Sequence, residues 1–191
     1  IKIIEDASES LGTTYRSGKL KGFHTGTVGE LGCLSFNGNK IITTGGGGVI
    51  LTNDIKFAEK SRYLTNQAKD DPIKFIHNEI GFNYRLTNLQ AAVGLAQLEN
   101  LNEIIKRKEY IHKYYTEAFN DHKKCEILQS PNFSNSNNWM NILLIDQSIS
   151  LDIVDMVKFF KDQMIEIRPV WYPNHLQNPI KHVKIIKFLM H

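Results

Sequence analysis

The stretch at 35–48, Ser-Phe-Asn-Gly-Asn-Lys-Ile-Ile-Thr-Thr-Gly-Gly-Gly-Gly, limits this chain more than any other. One lysine, Lys40, stands between a short apolar run and four successive glycines. Residues 33–36 read as the end of a buried strand and residues 48–52 as the next strand. Lys40 therefore rides on a turn between two strands, with small polar residues on either side. A lysine in that setting is either a solvated loop residue, as most lysines are, or a functional amine. Its neighbours have to decide.

Composition removes several classes. With 191 residues, 41% of them hydrophobic and 23% charged, the chain can bury a real core, as one domain or as one domain plus part of another. Its net charge of +3 is small and scattered, so no nucleic-acid partner is expected. Cys33 and Cys125 have no metal or redox spacing, and the histidines show none either, so no metal is expected and a reducing cytoplasm fits. No signal-peptide pattern appears and no apolar run would span a bilayer, which argues against a membrane partner and for a cytoplasmic location. The chain opens inside an apparent strand and closes inside an apparent helix, so it is expected to be an internal piece of a longer protein.

In order, residues 1–5 read as a strand that delivers Asp6 to its carboxyl end. Residues 12–22 read as a hairpin or extended loop. Asn53-Asp54 caps a helix to about Leu64. A polar connection then leads to Gly81-Phe82-Asn83-Tyr84-Arg85, and Thr87 caps a long helical pattern through Leu89, Val93, Ala96, Leu101, Ile105 and Ile111. A break is expected near Asn100, because an unbroken helix from 88 to 120 would be unusually long. Composition shifts at Asp121. Beyond it, 139–145 reads as a strand, 150–164 as a helix and 165–170 as a strand, a smaller α/β unit.

Asp6 and Lys40 gain meaning together. Ligand groups collect at the carboxyl ends of strands in open α/β sheets. Alone, Asp6 reads more readily as a turn residue capping the next element. Pyridoxal phosphate needs a lysine for a Schiff base, a carboxylate to keep its ring nitrogen protonated, and hydroxyl or backbone donors for its phosphate. Lys40, Asp6 and Ser35 supply these types, and the glycines at 45–48 permit close backbone approach.

Three segments, Glu5-Asp6-Ala7-Ser8-Glu9-Ser10-Leu11-Gly12, the stretch from Ser35-Phe36 through Lys40 to Gly48, and Gly81-Phe82-Asn83-Tyr84-Arg85-Leu86, resemble the successive signatures of the DegT/DnrJ-type sugar aminotransferases. The likeness runs from Ile1 to about Glu99 and continues more weakly to Trp171-Tyr172-Pro173. It implies an α/β fold. Residues 1–120 would be the C-terminal half of the large, aspartate aminotransferase-like domain that binds pyridoxal phosphate. Residues 121–191 would be part of a smaller α/β C-terminal domain. It implies transfer of an amino group from glutamate to the keto carbon, C4 by the wording of the motifs, of a nucleotide-linked keto-deoxysugar in bacterial surface-polysaccharide or nonulosonic-acid biosynthesis.

The same resemblance assigns roles. Lys40 would carry the cofactor and move the proton, Asp6 would pair with the ring nitrogen, and Ser35 would donate to the phosphate. Glu9 stands where many relatives have Gln and would approach the phenolic oxygen, an unfavourable pairing unless one partner is protonated. Asn83 would reach the phosphate in a neighbouring subunit, with Arg85 nearby, making the site a property of a homodimer. His77, Arg168 and Trp171 are weaker candidates for substrate contact. Each also reads as ordinary structure: a loop histidine, and interface packing for the other two.

Other readings carry less. A kinase-type or nucleotidase phosphate loop is in the wrong order, because the lysine precedes the glycines. Relatives that remove a hydroxyl have histidine at the lysine position, which this chain lacks. A catalytically incomplete or inactive piece, acting only in structure or dimerisation, is the remaining alternative.

Overall fold

The computed structural model describes residues 1–179. The terminal helix read at the end of the sequence lies outside them. Two compact units divide the chain, Ile1–Leu143 and Leu144–His191.

The first unit is built on a three-stranded sheet. Strand β1, Ile4–Asp6, lies parallel to β3, Leu31–Ser35, with Asp6 opposite Cys33. Strand β4, Gly48–Leu51, returns antiparallel to β3 and puts Ser35 opposite Gly48. The first strand begins at Ile4 and not at Ile1 as the apolar run implied. Between β1 and β3 the chain makes the expected hairpin, with Tyr15 N–H donating to Phe23 C=O at 2.9 Å and Gly22 N–H to Tyr15 C=O at 2.8 Å. Its two-residue strand β2, Thr14–Tyr15, also takes an unforeseen partner, pairing antiparallel with Ser134–Asn135 more than a hundred residues on.

Helix α1, Ile55–Thr65, starts where the sequence places it: Asp54 accepts from Lys56 N–H at 2.8 Å. The connection after it, read as irregular, is a hairpin of β5, Lys69–Asp71, and β6, Ile76–His77. Helix α2, Asn88–Glu99, opens on a reciprocal cap between Thr87 and Gln90. Asn100 breaks the pattern as expected, its side-chain amide donating to Ala96 C=O, and α3 runs Leu101–Phe119. Strand β7, Cys125–Ile127, and the short β8, Ser134–Asn135, follow.

The strand expected at 139–145 shortens to β9, Leu143–Ile145. Its first half is bent away because Asn138 takes a left-handed φ of 48°. Composition shifts at Asp121 because α3 has ended, yet the compact units divide later. Asn137 amide N–H groups reach back to Glu9 C=O at 3.0 Å and Leu11 C=O at 2.9 Å, tying this segment to the first unit.

In the second unit, α4, Ile153–Asp162, is shorter than the expected 150–164, because its cap is Asp152, whose carboxylate accepts from Val154 N–H at 2.7 Å. Residues 165–170 form no strand; Met164 at φ 61° turns the chain after the helix. Among the described residues, no helix is long and apolar enough to cross a membrane.

Candidate active site

The buried centre of the first unit lies under the lysine turn: Ile41, Ile42 and Thr44 are buried, Ile42 to 2% exposure. The turn is closed by its own backbone. Phe36 N–H donates to Gly47 C=O at 3.0 Å, and Thr44 N–H to Phe36 C=O at 3.0 Å. Helix α2 clamps it from outside. Gln97 accepts from Thr43 N–H at 3.0 Å and donates to Thr43 C=O at 3.0 Å, replacing the pairing a neighbouring strand would give. The glycines serve this packing. At φ 90°, Gly47 has a backbone that side-chain-bearing residues rarely adopt, and a Cβ there would strike Leu86. Their closeness is therefore to protein at Gly47 and Gly48, while the space beside Gly45 and Gly46 is open.

Lys40 is held by two groups. Its Nζ donates to Glu9 Oε1 at 2.8 Å and sits 4.8 Å from the centre of the Trp139 ring. The lysine side chain is 11% exposed and that of Glu9 48%, so the cation is shielded while its carboxylate faces solvent. Asp6, the last residue of β1, accepts from Ser8 N–H at 3.2 Å and from the Ser8 hydroxyl, both at Oδ1. The Ser8 hydroxyl, then its N–H, hold the Asp6 carboxyl below its ordinary 3.8, with a smaller contribution from the Lys40 charge; partial burial opposes them. Asp6 is thus an ionised carboxylate at neutral pH, the form that would pair with a protonated ring nitrogen. Ser35 ends β3, two residues beyond Cys33, the residue that lies opposite Asp6. Its oxygen accepts from Asn37 N–H at 3.3 Å, which leaves its O–H to donate. The donor types thus fit pyridoxal phosphate: an amine, an ionised carboxylate and a hydroxyl.

The remaining candidates lie elsewhere. Asn83 is exposed and bridged through its backbone to Asn66, and Arg85 donates to Asn66 Oδ1 at 3.1 Å, so both flank the end of α1. Leu86, just beyond, meets Gly47 and ties this segment to the lysine turn. His77 stands on the β5–β6 hairpin with its Nδ1 2.8 Å from Gln67 C=O. Arg168 and Trp171 belong to the second unit, where Arg168 pairs with Glu166 at 2.9 Å and both residues are exposed. Tyr110, Tyr114 and Tyr115 are exposed on α3 and take no part in the core. Among the described residues no cluster of His, Cys, Asp or Glu could hold a metal ion.

Sequence reasoning missed Gln97, Asn137 and Trp139. Each acts across a long separation, and no local pattern marks a helical glutamine or a loop asparagine for such contacts. Trp139 carried a trace: an aromatic directly after an Asn/Ser-rich stretch, at the start of an expected strand.

The DegT/DnrJ/EryC1/StrS aminotransferase family matches residues 1–187. The Bacillus subtilis protein EpsN is 42% identical over 177 residues, covering 93% of this chain and 44% of that protein. The GDP-perosamine synthase of Caulobacter vibrioides is 36% identical over 184 residues, covering 95% of this chain and 48% of the enzyme. Among solved structures, a DegT DnrJ EryC1 StrS aminotransferase from Brucella abortus aligns with a TM-score of 0.76 at 26% identity, over 95% of this chain and 46% of that one. The chain spans about half the length of the curated relatives it matches.

Proposed function

The chain belongs to the DegT/DnrJ/EryC1/StrS aminotransferase family, and from that premise we propose that the protein at its native length transfers an amino group from glutamate to a nucleotide-linked keto sugar. The family's aminotransferases work with pyridoxal phosphate. The acceptor is a 4-keto-6-deoxyhexose and the amine enters at C4. The names of two sets of relatives support this choice: GDP-perosamine synthases, and the UDP-4-amino-4,6-dideoxy-N-acetyl-beta-L-altrosamine transaminases of Helicobacter pylori and Campylobacter jejuni. The product fits surface-polysaccharide or nonulosonic-acid synthesis, and the reaction runs in the cytoplasm.

The observation that carries the reading is the shielded Lys40 amine beside Asp6 and Glu9 at the carboxyl ends of β1 and β3. When bound, pyridoxal phosphate supplies an electron sink for the carbon that exchanges its amine. Lys40 Nζ would hold the cofactor covalently and would serve as the group that moves the proton. Asp6 would keep the ring nitrogen protonated, and Ser35 would donate to the phosphate. Glu9 accepts the hydrogen bond of the free Lys40 amine and, with the cofactor in place, would approach its phenolic oxygen. Asn83 and Arg85 serve the site of a second subunit. His77, Arg168 and Trp171 stay candidates for substrate contact.

The test is purified protein of native length with glutamate and a panel of nucleotide-linked 4-keto-6-deoxysugars, followed by 2-oxoglutarate release and the amino-sugar product. Lys40→Ala should abolish both. Turnover surviving in that variant would refute the mechanism, and product aminated only at C3 would refute the regiochemistry. By itself the 191-residue chain, about half the length of its relatives, is proposed to hold the cofactor weakly.

A further inference from the structure

Both groups that touch the Lys40 amine are fixed by one buried asparagine. Asn137, 4% exposed, donates to Glu9 C=O at 3.0 Å and Leu11 C=O at 2.9 Å, and its Oδ1 accepts from Trp139 N–H at 3.0 Å. Its own N–H donates to Thr13 Oγ1 at 3.1 Å. Trp139 is then pinned at two further points. Its ring N–H donates to Asn39 C=O at 2.5 Å, the residue just before the lysine, and its C=O accepts from Lys108 Nζ on α3 at 3.3 Å. The indole thus grips both the backbone of the lysine turn and, through its face, the ammonium 4.8 Å from the ring centre.

We infer that Trp139, steadied by Asn137, is the positioning residue for Lys40: its ring N–H fixes the turn, and its face with Glu9 gives the freed amine a defined seat. The inference rests on Lys40 being the cofactor-bearing residue. An aromatic face attracts a cation, and more strongly where water is shut out. A tethered amine that swings free needs such a seat to return in register with the carbon whose proton it moves, because a small misplacement weakens proton transfer steeply. Trp139 never touches the reacting carbon; it acts through Lys40.

The test uses native-length protein carrying Trp139→Leu or Trp139→Phe, with three readouts. First, the cofactor is trapped by borohydride and its attachment mapped. Second, the cofactor-free protein is labelled with an amine-acylating reagent, and the rate at Lys40 is compared with Lys60 and Lys106 by mass spectrometry. Third, the half-reaction with glutamate is timed with hydrogen or deuterium at the α-carbon. Labelling of Lys40 should rise about two- to fivefold in Trp139→Leu, the size of a cation–π contact, and stay closer to wild type in Trp139→Phe, which keeps the ring face. The deuterium isotope effect should rise in the leucine variant, as proton transfer becomes slow. Should the leucine variant not fold, the phenylalanine variant alone must still raise Lys40 labelling, because it loses the tie to Asn39. Wild-type labelling and isotope effect in both variants, with the cofactor on Lys40, would overturn this inference alone. A cofactor trapped on a different lysine would overturn the reading beneath it.

Discussion

Asp6 shows how a single contact prepares a group. Its carboxyl is depressed chiefly by the Ser8 hydroxyl and then by the Ser8 N–H, and a carboxylate that accepts two such donors is favoured in its charged form. A group whose folded pKa lies below its unfolded value adds stability above the unfolded value, here the ordinary 3.8, and loses it as pH falls through the folded pKa. Ser8→Ala removes the hydroxyl and leaves the N–H. The variant's Asp6 carboxyl should therefore titrate nearer 3.8, read by carbon NMR of the labelled side chain. The stability deficit from this linkage should be full at neutral pH and shrink in acid below 3.8. A deficit of equal size at every pH would mean that Ser8 acts only through packing. The place of Asp6 at the end of β1 was legible in the sequence, because a short apolar run marks its own carboxyl end; a role for it could be read only together with Lys40. The seat of Lys40 was not. Glu9, Asn137 and Trp139 meet there only because the chain folds back over a hundred residues.

Among elements, helix boundaries followed from local chemistry and strand boundaries did not. Asp54, Thr87 and Asn100 each act through hydrogen bonds within a few residues, so the sequence carries the whole cause. Strands depend on partners elsewhere: β2 pairs with β8, and the expected strand at 165–170 has no ladder. The face of α2 was also unreadable. Its inward contacts are Gly94 against the Thr44 methyl and Gln97 on Thr43, while Leu89, Val93 and Leu98 are exposed. A helical period says that one face is apolar, not which surface that face meets. The parallel pair β1–β3 has its own requirement. Gly32 lies so close to Gly26 that a Cβ would be driven into the Gly26 carbonyl oxygen. Gly26 cannot easily retreat, since its N–H is held by Glu5 at 2.8 Å and its φ is 84°. Gly32→Ala should cost at least about 2 kcal/mol, as backbone overpacking does. Urea unfolding measures it, and a loss under about 0.5 kcal/mol, the ordinary surface range, would show that the Gly26 segment can retreat.

On the scale of the molecule, the surface of the first unit asks for covering. Among the described residues only Ala7, Ile41, Ile42, Ala68 and Ile127 form its buried apolar centre, whereas Ile73, Phe75, Ile80, Phe82 and Tyr84 are exposed along the segment that carries Asn83. Exposed apolar groups grouped in this way mark interaction surfaces. A second copy that buried them would bring Asn83 and Arg85 along, which is the geometry a shared site needs. The proposal makes a quantitative prediction for mixed dimers. Let Lys40→Ala and Asn83→Ala each be nearly inactive alone, and let the two proteins be co-expressed so that subunits mix at random. If Asn83 acts in its partner's site, a mixed dimer has one site with both defects and one with neither. Half the dimers are mixed, so activity should recover to about a quarter of wild type, as the symmetry of a two-fold dimer dictates. If Asn83 acts in its own subunit, every site of a mixed dimer keeps one defect and nothing recovers. Full activity in Asn83→Ala by itself would remove the residue from the site altogether, leaving the apolar patch to be covered by some other surface.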